Sequence, residues 1–149
     1  MTSSRQSSLE ASRHDSLRSS SLASFLGRVM FADALTSGAV GLLQVLAAAP
    51  LAALLDLPAI GLRVTGLVLL AYAAALVWLV RRTAIPAGAA WAIIAINVIW
   101  AIDCGVLLVS DWIEPNGLGE AFIGVQIVTV LVFAELTFIG LRRRRPGLA

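Results

Sequence analysis

The sequence predicts an all-α polytopic membrane protein, a four-transmembrane-helix bundle with a disordered N-terminal tail. Three observations carry that prediction. The 149 residues are 59% hydrophobic and only 13% charged, with a mean hydropathy of +0.91. Soluble domains run about 45–50% apolar and about 25% charged, so this chain lacks the polar surface to coat a water-soluble globule. Four apolar stretches each reach the length of about 20 helical residues that a bilayer core of about 30 Å requires. The basic residues gather on one side of those stretches, as membrane topology demands.

Residues 1–27 read as a cytoplasmic tail. Ten serines fall within 1–24, interleaved with Arg5, Glu10, Arg13, Asp15 and Arg18. Leu9, Leu17 and Leu22 are too sparse to form an apolar face, so disorder is expected. The transmembrane domain occupies 28–145, followed by a short C-terminal tail, 146–149.

The first helix is expected over about 29–48. Pro50 lacks an N–H and crowds the preceding turn, which ends or kinks the helix near Ala48 and lays Leu51 to Leu55 along the interface. A signal-peptide reading would cut at Ala47-Ala48-Ala49. Its n-region would be unusually long, and Pro50 would follow the cut, where processing is disfavoured. Retention as an uncleaved helix is the expectation. Asp56 followed by Pro58 reads as an N-cap and first-turn proline, so the second helix runs over about 58–80. Arg63, little more than a turn inside it, snorkels outward. Arg81 and Arg82 stop this helix. Pro86 marks the next connection, and the third helix covers about 88–110. Asp111 to Gly117 is rich in turn residues, and the fourth helix spans about 118–141.

All eleven basic residues are arginine. Arg5, Arg13, Arg18, Arg28, Arg81, Arg82, Arg142, Arg143, Arg144 and Arg145 lie on one side, and only Arg63 lies on the other. The positive-inside rule makes the first side cytoplasmic. Both termini are thus expected inside. The four terminal arginines also suit anionic lipid headgroups, at about 1 kcal/mol each near the surface. Trp78 and Trp91 belong to the inner interface and Trp112 to the outer one.

Composition excludes several functions. His14 is the only histidine and Cys104 the only cysteine, which removes bis-histidine haem, CxxC metal sites and intrachain disulfides. The chain has no G-x-S-x-G, H-E-x-x-H, P-loop or dinucleotide fingerprint. No catalytic, cofactor or metal residues are assigned, no cofactor is expected, and no basic face outside the apolar segments suits nucleic acid. A non-enzymatic role is expected.

What remains are polar residues at membrane depth. An ionisable group in hydrocarbon costs at least about 2.5–3.5 kcal/mol on insertion scales, so it should face protein or water. Asp33 and Glu135 lie in the inner third, and Asp103 in the outer third. On helix one, Asp33, Ser37, Val40 and Gln44 fall within about 60° of one another, with Thr36 alongside. This stripe reads either as interhelical glue or as a polar path to mid-membrane. Helix three places Asn97, Ala101, Cys104 and Gly105 on one face, with Asp103 turned about 120° from Asn97. Helix four sets Gln126, Thr129, Phe133 and Thr137 on one face and Glu135 nearly opposite. Asp33 and Glu135 are both expected inside the bundle. There Glu135 meets either Arg28 or Arg142 in an ion pair, or Asp33 itself, where two carboxyls push one pKa upward. The pairs Ala34/Gly38, Ala71/Ala75 and Ala101/Gly105 have small-xxx-small spacing, which permits close helix approach.

Three stretches, Leu54-Leu55-Asp56-Leu57-Pro58-Ala59, Asn97 to Cys104, and Phe133-Ala134-Glu135-Leu136 leading to Arg142, resemble small four-helix bacterial membrane proteins that carry no assigned activity. The resemblance spans most of 27–145. It implies inner-membrane placement and transfers no functional residue. Two functions follow as expectations: an accessory or interaction component, partnered by a second copy or another membrane protein, or a small oligomeric transporter using the intramembrane carboxylates.

Overall fold

The computed structural model describes residues 3–82 and 84–143, with side chains from Phe25 onward. Arg144, Arg145 and the 146–149 tail lie outside the described residues. Five helices follow in order: α1 (Ser3–Leu46), α2 (Ala48–Leu55), α3 (Ala59–Val80), α4 (Ala87–Val109) and α5 (Gly117–Arg143). No strand occurs among the described residues. Four stretches are long and apolar enough to cross a membrane: Phe25–Leu46, Ala59–Val80, Ala87–Val109 and Gly117–Arg143. These are the four expected helices, displaced by a few residues at their ends.

Helical backbone also runs through the polar segment, since α1 begins at Ser3. No Gly or Pro interrupts residues 1–26. Once Phe25–Leu46 is helical, each preceding residue extends an existing helix instead of nucleating a new one. The expected boundary between tail and bundle, at 27/28, therefore falls inside one helix.

The break between α1 and α2 falls at Ala47 (φ −111°, ψ 26°), one residue before the expected kink. Pro50 has no N–H to return to the preceding turn. The chain is carried across by Ala47 N–H to Leu43 O (2.9 Å) and Leu51 N–H to Ala47 O (3.0 Å). Asp56 corrects the sequence reading. It does not cap α3; it ends α2 in the left-handed region (φ 56°, ψ 44°), its N–H bonded to Ala52 O. An aspartate tolerates that conformation better than most residues. Pro58 takes the N-cap position of α3, and Pro86 that of α4, neither with a side-chain cap.

Asn116 joins the α4–α5 connection to α2. Its Nδ2 donates to Leu54 O (2.9 Å), and its Oδ1 accepts from Leu118 N–H (3.1 Å) and Gly119 N–H (3.0 Å). One side chain thus caps α5, satisfying donors that a helix start leaves orphaned, and pins the end of α2 to it. Gly119 has no room for a Cβ, which would meet Leu55 O and the Pro115 ring.

The helices pack as two close pairs, α1 with α3 and α4 with α5, joined along an α1–α5 seam. The α1–α3 contact is closest where Gly41 faces Gly66. A Cβ on either glycine would lie 2.8 Å from the other's carbonyl oxygen. Of the three expected small pairs, Ala34/Gly38 does serve this interface, with Gly38 opposite Ala73. Ala71 and Ala75 are exposed, and Gly105 has open space where a Cβ would sit. The small-residue pattern recurs by chance in a chain this rich in alanine, so spacing alone did not select the true contact.

Apolar burial centres on the half of the bundle that carries the α3–α4 connection, where Leu26, Met30, Leu76, Ala90, Ile93 and Leu141 form one cluster. The outside is apolar as well. Leu35, Leu46, Ile60, Val109 and Val125 are each more than 60% exposed, which water would penalise at about 25 cal/mol per Å² and lipid does not. Trp78 and Trp91 sit outward near the helix ends that flank the α3–α4 connection. Arg82 lies 3.7 Å over the Trp78 ring, and Trp91 packs edge-on against Phe138 at 5.8 Å. An arginine stacked on an indole fits an interface where one end is apolar and the other wet.

Candidate functional site

The polar stripe of α1 meets α3 and α4 in one closed cluster. Asp33 is 1% exposed. Its Oδ1 accepts from Ser37 Oγ (3.0 Å), and its Oδ2 accepts from Tyr72 OH (2.7 Å) and Asn97 Nδ2 (3.2 Å). Asn97 Nδ2 also donates to Tyr72 OH at 3.0 Å, closing a triangle of α1, α3 and α4. Counting from the helix ends on the side of the α3–α4 connection explains why these groups meet. Asp33 lies eight residues from Phe25, Tyr72 eight from Val80 and Asn97 ten from Ala87. At about 1.5 Å per residue, all three sit some 12–15 Å in. Both carboxyl oxygens are occupied by protein donors, as a buried polar network requires.

Tyr72 was not singled out from the sequence. The available signal was that it is the chain's only tyrosine and lies mid-helix, away from the interfaces where tyrosine usually sits.

A second polar contact lies further out. Gln44, 2% exposed, accepts at Oε1 from Thr65 Oγ (3.1 Å). The same hydroxyl lies 2.9 Å from Gly61 O and 3.2 Å from Leu62 O, so it also returns to its own helix. Thr65, too, was missed from sequence, since a threonine bonding one turn back in its own helix carries no pattern. Gln44 lines a half-open cavity of about 150 Å³ with residues of α3, α4 and α5 and with Leu57, Pro58 and Ile113 of the connections. Gln126, half-buried, borders the same cavity.

The other predicted residues part company. Glu135 is exposed on α5, and Asp103 is exposed on α4. The expectation that Glu135 faces the bundle interior with Asp33 is therefore corrected. The inward face of α5 is set by Ile123, Val130, Ala134 and Thr137, all buried, and Glu135 follows Ala134 by a 100° turn away from it. Neither expected ion pair of Glu135, with Arg28 or with Arg142, is present; Arg142 instead lies 5.6 Å over the Phe138 ring. Thr36 is likewise exposed, not beside the stripe in the interior. Of the expected α4 face, Asn97, Ala101 and Cys104 are buried together, while Gly105 is half-buried with open space beside it. Among the described residues, Thr137 Oγ1 and Trp100 Nε1 are buried without a hydrogen-bond partner.

No group of three or more metal-ligating side chains occurs among the described residues. No family model, curated protein or solved structure matches the chain. The geometry must therefore carry any functional reading by itself.

Proposed function

We propose that this four-span membrane protein resides in a bacterial inner membrane with both ends cytoplasmic and works without catalysis, as an accessory or interaction component. The observation that supports this reading is the separation of its three intramembrane acids. Asp33 is enclosed by Ser37, Tyr72 and Asn97 and tied into the packing. Asp103 and Glu135 instead stand on the outer surface of the bundle, about 9 Å inside Val109 and about 12 Å inside Arg143. Each costs at least about 2.5–3.5 kcal/mol against lipid. A partner helix that offers arginine, hydroxyl or amide donors at those depths relieves that cost, whether it belongs to another membrane protein or to a second copy. The transporter alternative loses the shared cavity it needed.

The test is photo-crosslinking in native membranes from positions next to the exposed acids, the buried Ala101 and Ala134 serving as contrasts. Probes at 99, 106 and 132, on the exposed faces, should capture a discrete partner band. Asp103→Leu and Glu135→Leu should weaken that band while leaving the thermal stability of the purified chain within about 0.5 kcal/mol, as surface substitutions do. Capture of lipid alone at every position would overturn the interaction reading.

The orientation rests on the arginine distribution and has its own check. Reporters fused at Arg82 and after Arg145 should read cytoplasmic, and one at Asn116 periplasmic. A periplasmic signal from the C-terminal fusion would reject the arrangement.

A further inference from the structure

The cavity beneath the outer loops exists because α3 and α4 make no close backbone approach. Each packs tightly on its own partner, α1 or α5, and their outer halves stay apart. The lining is almost wholly carbon, with Trp100 and Phe122 contributing aromatic surface. Its volume, about 150 Å³, is that of engineered apolar cavities that take up a benzene ring. A water cluster does not suit it, because each buried water needs two to four polar partners.

Yet the cavity is not featureless. Gln44 is 98% buried, and Thr65 holds its Oε1. Its Nε2 makes no hydrogen bond among the described residues, and Trp100 Nε1, on the same lining, is a buried donor without a partner. Gln126, on the cavity's edge, makes no hydrogen bond there either. An amide donor left unpaired at membrane depth is costly. An occupant that is mostly carbon, ring-sized and supplied with acceptor oxygens answers both features. We propose that this cavity binds a membrane-soluble ring compound bearing carbonyl oxygens, the chemistry of a quinone head group. Gln44 Nε2 donates to one carbonyl, Gln126 serves the other, and Trp100 and Phe122 pack on the ring.

Binding of duroquinone and of durene to the full-length chain in detergent micelles tests this. The two probes share the tetramethylated ring and differ in the two carbonyls. Full substitution also leaves duroquinone no open ring carbon for the Cys104 thiol, which lines the same cavity. Saturable thermal stabilisation is the readout. Duroquinone should bind about tenfold more tightly than durene, the worth of one or two hydrogen bonds. Gln44→Leu should erase that preference, and Leu107→Trp, which fills the cavity, should abolish binding of both probes. Gln126→Leu, further from the Thr65 contact, should lower duroquinone affinity alone and serves if Gln44→Leu does not fold. Equal affinity for the two probes would mean a plain apolar slot of the kind a lipid chain fills, and would overturn the proposal. So would the absence of saturable binding, or duroquinone binding indifferent to the glutamine substitutions.

Discussion

Asp33→Leu is expected to destabilise the bundle by about 2–5 kcal/mol, more than any other single polar substitution in the chain. The change strips the acceptor from three donors at once, Ser37, Tyr72 and Asn97. Leaving one buried donor unsatisfied costs about 1–3 kcal/mol in water-soluble proteins. Interhelical hydrogen bonds in membranes are worth less, averaging about 0.6 and reaching about 1.7 kcal/mol, because the unfolded helices find other partners in the membrane. Three such losses in one enclosed site give the stated range. Asp33→Asn should cost about 1 kcal/mol or less. Its amide nitrogen can turn toward Ser37, whose hydroxyl accepts as readily as it donates, while the amide oxygen keeps Tyr72 and Asn97. Unfolding in mixed micelles, titrated with SDS, measures both variants. Equal losses for Leu and Asn would mean that the carboxyl serves some purpose beyond accepting these bonds.

Gly66→Leu should cost about 3 kcal/mol or more and separate α1 from α3. A Cβ at position 66 would lie 2.8 Å from Gly41 O, 2.9 Å from Gln44 Cβ and 2.9 Å from Val45 Cγ2. Two of these neighbours are rigid, a backbone carbonyl and a Cβ, so the helices themselves must move apart. Overpacking a well-filled site costs about 1–3 kcal/mol, and here the displacement also disturbs Gln44. Even Gly66→Ala meets the carbonyl and should lose about 1–3 kcal/mol. Gly105→Ala and Gly124→Ala are the controls, since a Cβ there meets nothing within 4 Å. Both should be neutral or slightly stabilising, as the change favours helix by up to about 1 kcal/mol. The same unfolding measurement, with circular dichroism to confirm helix content, separates the two classes. A neutral Gly66→Ala would contradict the close α1–α3 approach.

The bundle was legible in the sequence because its signals are compositional and local. Long apolar runs, prolines at their edges and arginines on one side are all read without knowing how helices meet. The inward stripe of α1 was legible too, since Asp33, Ser37 and Gln44 share a face by helical period alone, and all three are buried. Glu135 shows where that reasoning ends. Depth and charge placed it beside Asp33, but which way a helix turns depends on the faces of its neighbours. On α5, Ala134, Thr137 and Gly140 determine the packed side. Asn116 was read only as part of a turn-rich loop, because its role depends on the end of α2 lying beside the start of α5. Likewise, Tyr72 becomes a partner of Asp33 only once α3 is laid antiparallel to α1 at matched depth.

The coupling between Asp33 and Asn97 tests most directly that the buried acid is a structural knot joining α1, α3 and α4. A double-mutant cycle with Asp33→Leu, Asn97→Leu and the pair, read by SDS unfolding, isolates that coupling. The expected interaction energy is about 1–2 kcal/mol, since either single change already leaves the other side chain without its partner. Strictly additive losses, within about 0.3 kcal/mol, would show that the two residues stabilise the bundle independently and would contradict the account.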